Sequence, residues 1–125
     1  MKTTKHLGIW MDHSSAFLME LTNDTIVQNS IVSEFTHLEK EKSLVKSEKI
    51  MHIKERHQQT SYYKKLGEAI RNYQEVILFG PTDAKTELFN LLKTDHLFEN
   101  IKIEIRDSDK MTENQMHDFV REYFM

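Results

Sequence analysis

The stretch at residues 75–93 constrains the fold of this 125-residue chain more than any other. Residues 76–79 are four consecutive apolar residues, Val-Ile-Leu-Phe, a run typical of a strand that is covered on both faces in an α/β sheet. A Gly-Pro pair at residues 80–81 ends that strand. Thr82 or Asp83 then caps a helix by accepting a backbone N–H, a contact worth about 1 kcal/mol. The stretch therefore predicts a central strand, a tight turn and a helix.

The predicted helix has one apolar stripe and one polar face. At helical spacing, the stripe contains Ala84, Leu88, Leu91 and Leu92, and the face toward water contains Lys85, Glu87 and Lys93. The turn before the helix lacks the second glycine and the Lys-Ser/Thr ending of a phosphate-binding P-loop. We therefore interpret the turn as a structural connection.

The composition indicates a single domain spanning residues 1–125. The chain has no Cys, which excludes disulfides and thiolate chemistry, and we expect a reducing cytoplasmic location. It has no run of 18 apolar residues and no apolar signal segment after the N-terminus, so we expect neither secretion nor a membrane span. Residues 39–65 contain eight Lys or Arg and four acidic residues, a local net charge of +4 in a chain of net charge −3. Such a segment either attracts phosphates or is simply solvated.

The N-terminal third predicts three antiparallel strands. Apolar residues alternate over residues 7–11, the turn Asp-His-Ser-Ser follows, and an apolar strand resumes at residues 16–21. After a second turn, residues 25–35 predict a third strand. Periodicity is then lost, and we expect a mobile loop at about residues 37–60.

Order returns in the second half of the chain. Thr60 or Ser61 caps a helix, and the strand, turn and helix of residues 75–93 follow. Residues 101–106 alternate apolar and charged, as in a strand with one wet face. Thr-Glu-Asn-Gln at residues 112–115 is a capping box that opens a last helix. The order β-β-β-α-β-α-β-α predicts an α/β fold with a mixed sheet and helices packed on it.

Three motifs in this order resemble a known family. They are HLGIWMDHSSAFLMEL at residues 6–21, EVILFGPTDAKTEL at residues 75–88 and DKMTENQMHDFVREYF at residues 109–124. Together they resemble the middle domain of archaeal and eukaryotic peptide-chain release factors and of Pelota, and most of all the small bacterial release-factor-like proteins that include host attachment proteins. The resemblance implies an RNase H-like or ribosomal L18/S11-like sheet and a place near the ribosome.

The resemblance also points to the segment before the first helix. In release factors a Gly-Gly-Gln loop lies there and promotes hydrolysis of peptidyl-tRNA in the peptidyl-transferase centre. The corresponding place in this chain is residues 52–61, where Gln58 or Gln59 takes the Gln position but both glycines are missing. Glycines permit backbone conformations that His57 and Gln58 resist. We also do not expect 125 residues to hold the stop-codon-reading and partner-binding domains of release factors, so we expect an isolated binding domain and not a complete release factor.

A basic His/Gln segment contains the best candidate site residues. The predicted nucleic-acid-binding set is Lys54, Arg56, His57, Gln58, Gln59, Lys64 and Lys65. Gln58 and Gln59 are also the catalytic candidates. Three functions stay open: a module that binds the ribosome or tRNA, a peptidyl-tRNA or ester hydrolase, and a protein-interaction domain without RNA. For the last, we expect a homodimer through the edge of the strand at residues 101–106. A binding module is favoured over an enzyme, and no cofactor is predicted.

Metal binding and base stacking are weaker hypotheses. Of the seven histidines only His52 and His57 have short spacing, so no metal site is predicted; they would instead make RNA binding sensitive to pH. Asp12 invites comparison with two-metal nucleases, with Glu34, Asp83 and Asp107 as partners, but a turn role explains it more simply. Among the aromatic residues, Tyr63 lies off the predicted inner face of its helix and is the one expected to stack on bases.

Overall fold

The structure is a computed structural model that describes residues 6–22, 25–33 and 60–124. Residues 34–35 of the predicted third strand lie outside the described residues, and so does nearly all of the predicted loop at residues 37–60. Among the described helices, none combines the length and the apolar composition that crossing a bilayer requires.

The element order is the one that the sequence predicts. The strands are β1 (His6–Met11), β2 (Ser15–Thr22), β3 (Thr25–Val32), β4 (Glu75–Gly80) and β5 (Lys102–Asp107). The helices are α1 (residues 60–70), α2 (Ala84–Lys93) and α3 (Glu113–Phe124), with one 3-10 turn at His96–Phe98. Within the described residues the mixed α/β prediction is confirmed.

The five described strands form one mixed sheet in the order β3-β2-β1-β4-β5. β1 pairs antiparallel with β2, and β2 with β3, as expected for consecutive hairpins. β1 pairs parallel with β4, and β4 with β5. The inner strands β1 and β4 are therefore parallel neighbours although they are far apart in sequence.

Helices cover both faces of the sheet, and each face has its own apolar core. On the first face, α1 and α2 cover Leu7, Ile9, Leu18, Val76 and Leu78. On the second face, α3 covers Trp10, Met19, Ile77 and Phe79 through Met116 and Val120. Since neighbouring residues of a strand point to opposite faces, β4 has apolar residues at every position from 76 to 79, as its sequence predicts.

The helix starts agree with the sequence in part. The capping box at α3 is confirmed: the Thr112 N–H donates to Gln115 Oε1 at 2.9 Å, and the Gln115 N–H donates to Thr112 Oγ1 at 3.2 Å. At α2, Asp83 occupies the N-cap position but its side chain makes no capping hydrogen bond. The Thr82 hydroxyl accepts the Ala84 N–H instead, at 3.2 Å.

Two residues of α2 do not lie where the sequence predicts. Lys85, predicted to face water, is 2% exposed, whereas Leu91, predicted to face the sheet, is 52% exposed. The buried residues of α2 are Ala84, Lys85, Leu88 and Leu92. Lys85 lies three and seven positions before Leu88 and Leu92, on the same side of the helix, so the helix face toward the sheet is rotated relative to the predicted stripe.

Gly80 ends β4 in a conformation that needs glycine. Its φ is +151°, and a Cβ at this position would lie well inside van der Waals contact with the carbonyl oxygen of Met11. The close approach brings the end of β4 against the end of β1. A side chain here is opposed both by the dihedral angle and by backbone atoms, which cannot move aside as a side chain can.

We predict that Gly80→Ala lowers the free energy of unfolding by roughly 2–5 kcal/mol, because strain in φ and overpacking add. Gly67→Ala in α1 is the matched control. A Cβ there meets only the ends of the Leu92 and Phe98 side chains, at 3.3 and 3.5 Å, and alanine favours helix. Urea unfolding of both variants measures the difference. Equal midpoints for the two variants would contradict the close approach.

Candidate functional site

The carboxyl ends of the three parallel strands lie at one edge of the sheet, which we call the carboxyl edge. It comprises the ends of β1, β4 and β5, at Met11, Gly80 and Asp107, with the turns that follow. β3 ends there too, since the Ser33 N–H donates to the Ser14 carbonyl at 2.7 Å. In open α/β sheets this edge is the usual place for ligands, because the turns and helix starts meet there.

The turn between β1 and β2 is held by Asp12. Its Oδ1 accepts the N–H groups of Ser14 and Ser15, both at 2.8 Å, which confirms the turn role expected for this residue. The Asp12 carbonyl accepts the hydroxyl of Tyr62 from α1 at 3.0 Å. Burial, followed by the charge of Asp12 and the neighbouring Tyr63, raises the pKa of Tyr62, so its hydroxyl stays protonated and donates. The start of α1 is thereby fixed to the carboxyl edge.

A second contact joins three elements at this edge. The Tyr63 hydroxyl donates to Glu87 Oε1 at 2.6 Å, and Glu87 Oε2 lies 3.2 Å from His13 Nε2. Tyr63 is on α1, Glu87 is on α2 and His13 is in the β1–β2 turn. We call this set the Tyr63–Glu87–His13 network. It connects the helices of the first face to the turn that Asp12 holds.

The position of Tyr63 corrects a prediction. Tyr63 was expected off the inner face of α1 and available to stack on bases, but it is 6% exposed and belongs to the core of the first face. α1 contacts both the sheet and α2, so its buried face is wider than one stripe facing the sheet. The Tyr63 ring is therefore buried, and its hydroxyl donates to the carboxylate of Glu87.

The network keeps Glu87 ionised. The hydrogen bond from the Tyr63 hydroxyl lowers the pKa of Glu87, partial burial opposes this, and the hydrogen bond and charge of His13 lower it further. The side chains of His13 and Glu87 are 44% and 50% exposed, so their ion pair is screened by water and contributes little to stability. Its chemical effect is to orient an accessible imidazole, the arrangement that a general base needs.

The buried Lys85 is used within the fold. Its Nζ donates to the Thr82 carbonyl at 2.6 Å and lies 2.9 Å from Asp107 Oδ1. The Lys85 side chain is 3% exposed and that of Asp107 is 98% exposed, so the ammonium lies beneath a carboxylate that remains in water. A lone buried ammonium is costly, and these two oxygens compensate for its burial. Lys85 therefore joins the turn after β4 to the end of β5.

The structure places two of the predicted nucleic-acid-binding residues. Lys64 and Lys65 are exposed on the first part of α1, which starts at the carboxyl edge. The other five, Lys54, Arg56, His57, Gln58 and Gln59, lie outside the described residues and stay predictions.

The carboxylates of the nuclease comparison do not form a metal site in the described part of the chain. No group of three or more His, Cys, Asp or Glu residues that could hold a metal ion occurs among residues 6–22, 25–33 and 60–124. Asp12 is used in its turn and Asp107 contacts Lys85. Glu34 lies outside the described residues.

Sequence reasoning missed the Tyr63–Glu87–His13 network. His13 and Glu87 are 74 residues apart, and Tyr63 and Glu87 are 24 apart. No spacing pattern links them, because their proximity depends on how α1 and α2 cross the sheet. The one available signal was that the turn after β1 and the helix after β4 both follow the carboxyl ends of parallel strands.

We predict that Tyr63→Phe raises the pKa of Glu87 toward its ordinary value, because the largest cause of the lowering is removed. In the wild type, a lowered pKa means that Glu87 contributes stability above its unfolded pKa, and that this contribution is lost as the pH falls through the folded pKa. Carboxyl NMR titration measures the pKa, and urea unfolding between pH 3 and 6 measures the stability. Tyr73→Phe, which removes a hydroxyl bound to Glu20, is the control and leaves Glu87 unchanged. An unshifted Glu87 in Tyr63→Phe would contradict the network.

No protein-family model and no curated protein matches the chain by sequence. Comparison of folds finds solved structures that are similar to it. Pelota of Thermoplasma acidophilum matches with a TM-score of 0.63 at 16% identity, over 95% of this chain and 32% of that one. Pelota of Archaeoglobus fulgidus matches with a TM-score of 0.62 at 9% identity, over 97% and 32%. The archaeal translation termination factor aRF1 matches with a TM-score of 0.52 at 15% identity, over 96% and 39%.

These matches confirm the expected fold, that of a middle domain of Pelota and the release factors. The chain spans 32–39% of the length of these three proteins. At these identities the likeness concerns the fold.

Proposed function

We propose that this chain is a translation-associated binding module that contacts the ribosome or a tRNA. The observation that carries the proposal is the fold shared with a domain-sized part of Pelota and of an archaeal translation termination factor. A cytoplasmic location follows from this proposal. The fold sets only the class of function, and the contact surface is argued from the residues.

The proposed contact surface is the basic His/Gln segment together with the start of α1. Lys64 and Lys65 are exposed there, and Lys54 and Arg56 precede them by about ten residues. Lys and Arg attract backbone phosphates, and the amides of Gln58 and Gln59 add hydrogen bonds to sugar and phosphate. Tyr62 and Tyr63 support this surface, because their hydroxyls hold the start of α1 at the carboxyl edge. The missing Gly-Gly pair favours binding over catalysis.

We predict that the protein co-sediments with ribosomes at low salt and dissociates at high salt. A variant with Lys54→Ala, Arg56→Ala, Gln58→Ala and Gln59→Ala is expected to lose most of the binding. The slope of log affinity against log salt should fall by about 1 for each phosphate contact removed. Sedimentation with ribosomes and titration with tRNA, each over a salt series, measure both quantities.

The control for that variant removes two positive charges at the opposite end of the sheet. Lys93 ends α2, and Lys102 pairs with Glu75 at the start of β4. Lys93→Ala combined with Lys102→Ala changes the net charge by the same amount as the loss of Lys54 and Arg56, and should leave binding intact. Equal losses in both variants would indicate general charge attraction. If the wild-type protein binds neither ribosomes nor tRNA at any salt concentration, the proposal is rejected. A protein-interaction domain without RNA would then be the better hypothesis.

The hydrolase alternative has one observation in its favour. His13, oriented by Glu87 at 3.2 Å, offers an accessible imidazole at the edge where α1 begins. Under this hypothesis Gln58 or Gln59 positions a water for attack on the ester carbonyl carbon of peptidyl-tRNA or another ester, and His13 accepts a proton from that water. The ester C–O bond then breaks, and His13 returns the proton to the leaving oxygen, which releases a carboxylic acid and a free hydroxyl.

If the protein hydrolyses peptidyl-tRNA, we predict that His13→Ala and the Gln58→Ala/Gln59→Ala pair each lower turnover by about 100-fold or more, the usual loss for a general base. Binding should persist in both variants. His96→Ala, an exposed histidine beyond the far end of α2, is the control and should be fully active. Wild-type protein without turnover would reject the hydrolase reading and leave the binding module untouched.

A further inference from the structure

β3 has a neighbour on one side only in the described sheet. It pairs with β2 along its whole length, and it lies at the end of the strand order. The Ser33 N–H donates to the carbonyl of Ser14, the residue just before β2, so the backbone groups of Ser33 point toward β2. Because backbone groups alternate in direction along an antiparallel strand, those of the other odd-numbered residues of β3 also point toward β2. The N–H and C=O groups of residues 26, 28, 30 and 32 then face outward.

The residues of β3 itself lack the charges and prolines that usually protect an edge strand. Its sequence, Thr-Ile-Val-Gln-Asn-Ser-Ile-Val, has no charged residue and no proline. Val27 and Val32 are 53% and 58% exposed. The other edge strand, β5, has Lys102, Glu104, Arg106 and Asp107 among its six residues. Charges disfavour the pairing of edge strands with other chains, so within residues 6–22, 25–33 and 60–124 β5 is protected and β3 is the edge open to pairing.

We propose that two copies of this chain pair through β3, antiparallel, around a two-fold axis that passes through Asn29. A two-fold axis perpendicular to the sheet places residues of the same face opposite one another. With the axis at Asn29, Val27 lies opposite Ile31 of the second copy, and Ile26 lies opposite its Val32. Gln28 lies opposite Ser30, and Asn29 lies opposite itself. Every apolar residue thus meets an apolar residue, and every polar one meets a polar one.

The register is specific to that axis. Moving the axis to Gln28 places Val27 opposite Asn29, and moving it to Ser30 places Ile31 opposite Asn29. In the proposed register the outward groups of residues 26, 28, 30 and 32 all find partners, so the edge hydrogen bonds are satisfied. Matched cross-strand pairs contribute about 0.2–1 kcal/mol each. The sequence suggested a dimer through the strand at residues 101–106 instead. We favour β3 over that strand because β5 has four charged residues and β3 has none.

The absence of Cys from the chain allows a direct test by disulfide trapping. Asn29→Cys should form a covalent dimer on mild oxidation, since the two Cα atoms of such a non-hydrogen-bonded pair lie about 4.5 Å apart, within disulfide range. Ser30→Cys is the matched control, nearly isosteric and on the same exposed strand. In the proposed register its Cα atoms are diagonal neighbours roughly 7–8 Å apart, too far to bridge.

A second experiment introduces a charge at β3 to dissociate the dimer. Val27→Lys should raise the dimer dissociation constant at least about tenfold, because it places an ammonium opposite Ile31 and charges the edge. Leu91→Lys on α2 adds the same charge at a side chain of similar exposure, 52%, and should leave the dimer intact. Sedimentation equilibrium of the full chain measures both, with circular dichroism to show that both fold.

Three results would overturn the proposal. The first is a wild-type protein that remains monomeric up to high micromolar concentration. The second is disulfide formation in Ser30→Cys equal to that in Asn29→Cys, which would reject the register. The third is dissociation by Leu91→Lys but not by Val27→Lys, which would move the contact to the helical face. Trapping in Asn29→Cys alone, together with dissociation by Val27→Lys, supports the proposal.

Discussion

The parallel pairing of β1 with β4 is the interaction on which the rest of the structure depends. It places a strand from the N-terminal meander beside one that begins more than sixty residues later. Because both strands are buried on both faces, neither face is complete until helices cover it. The pair also decides where the turns meet, since a parallel pair puts both carboxyl ends at one edge. Gly80 lets the two ends approach closely, and every contact of the candidate site lies just beyond them.

The carboxyl edge combines strong and weak contacts. The Tyr62 hydroxyl donates to the carbonyl of Asp12 in the β1–β2 turn. The buried Lys85 ammonium contacts two oxygens, one of Thr82 and one of Asp107. The pair of His13 and Glu87 is different, because both side chains are about half exposed and bind each other weakly. Rigid supports with a loosely held acid–base pair between them are typical of sites where function needs movement or exchange of partners. The fixed contacts at this edge are therefore those of the tyrosine hydroxyls, the Asp12 turn and Lys85, and not the pair of His13 and Glu87.

The sequence was informative wherever a local pattern determines structure. Four apolar residues before Gly80 predicted the central strand, and Thr112 with Gln115 predicted the start of α3, because strands and caps depend on nearby residues. It was less informative where two elements meet. Tyr63 was assigned to water because the predicted face of α1 considered only the sheet, whereas α1 also contacts α2 through Glu87. Lys85 was assigned to water because it is charged, whereas it lies on the sheet side of α2 and contacts Asp107 at the end of β5. Strand order and the link from His13 to Glu87 are long-range features that periodicity does not encode.

The two faces of the sheet contain different aromatic chromophores. The chain has one tryptophan, Trp10, which is 6% exposed and lies on the second face, with Phe17 at 6.0 Å between ring centroids. All the tyrosines that hold α1 at the carboxyl edge lie on the first face. Indole fluorescence therefore reports the docking of α3, while the signals of Tyr62 and Tyr63 report the opposite layer; Tyr123, on α3, lies on the same face as Trp10. Undocking of α3 and opening of the α1 layer would therefore give separate spectroscopic signals from the two sides of one sheet.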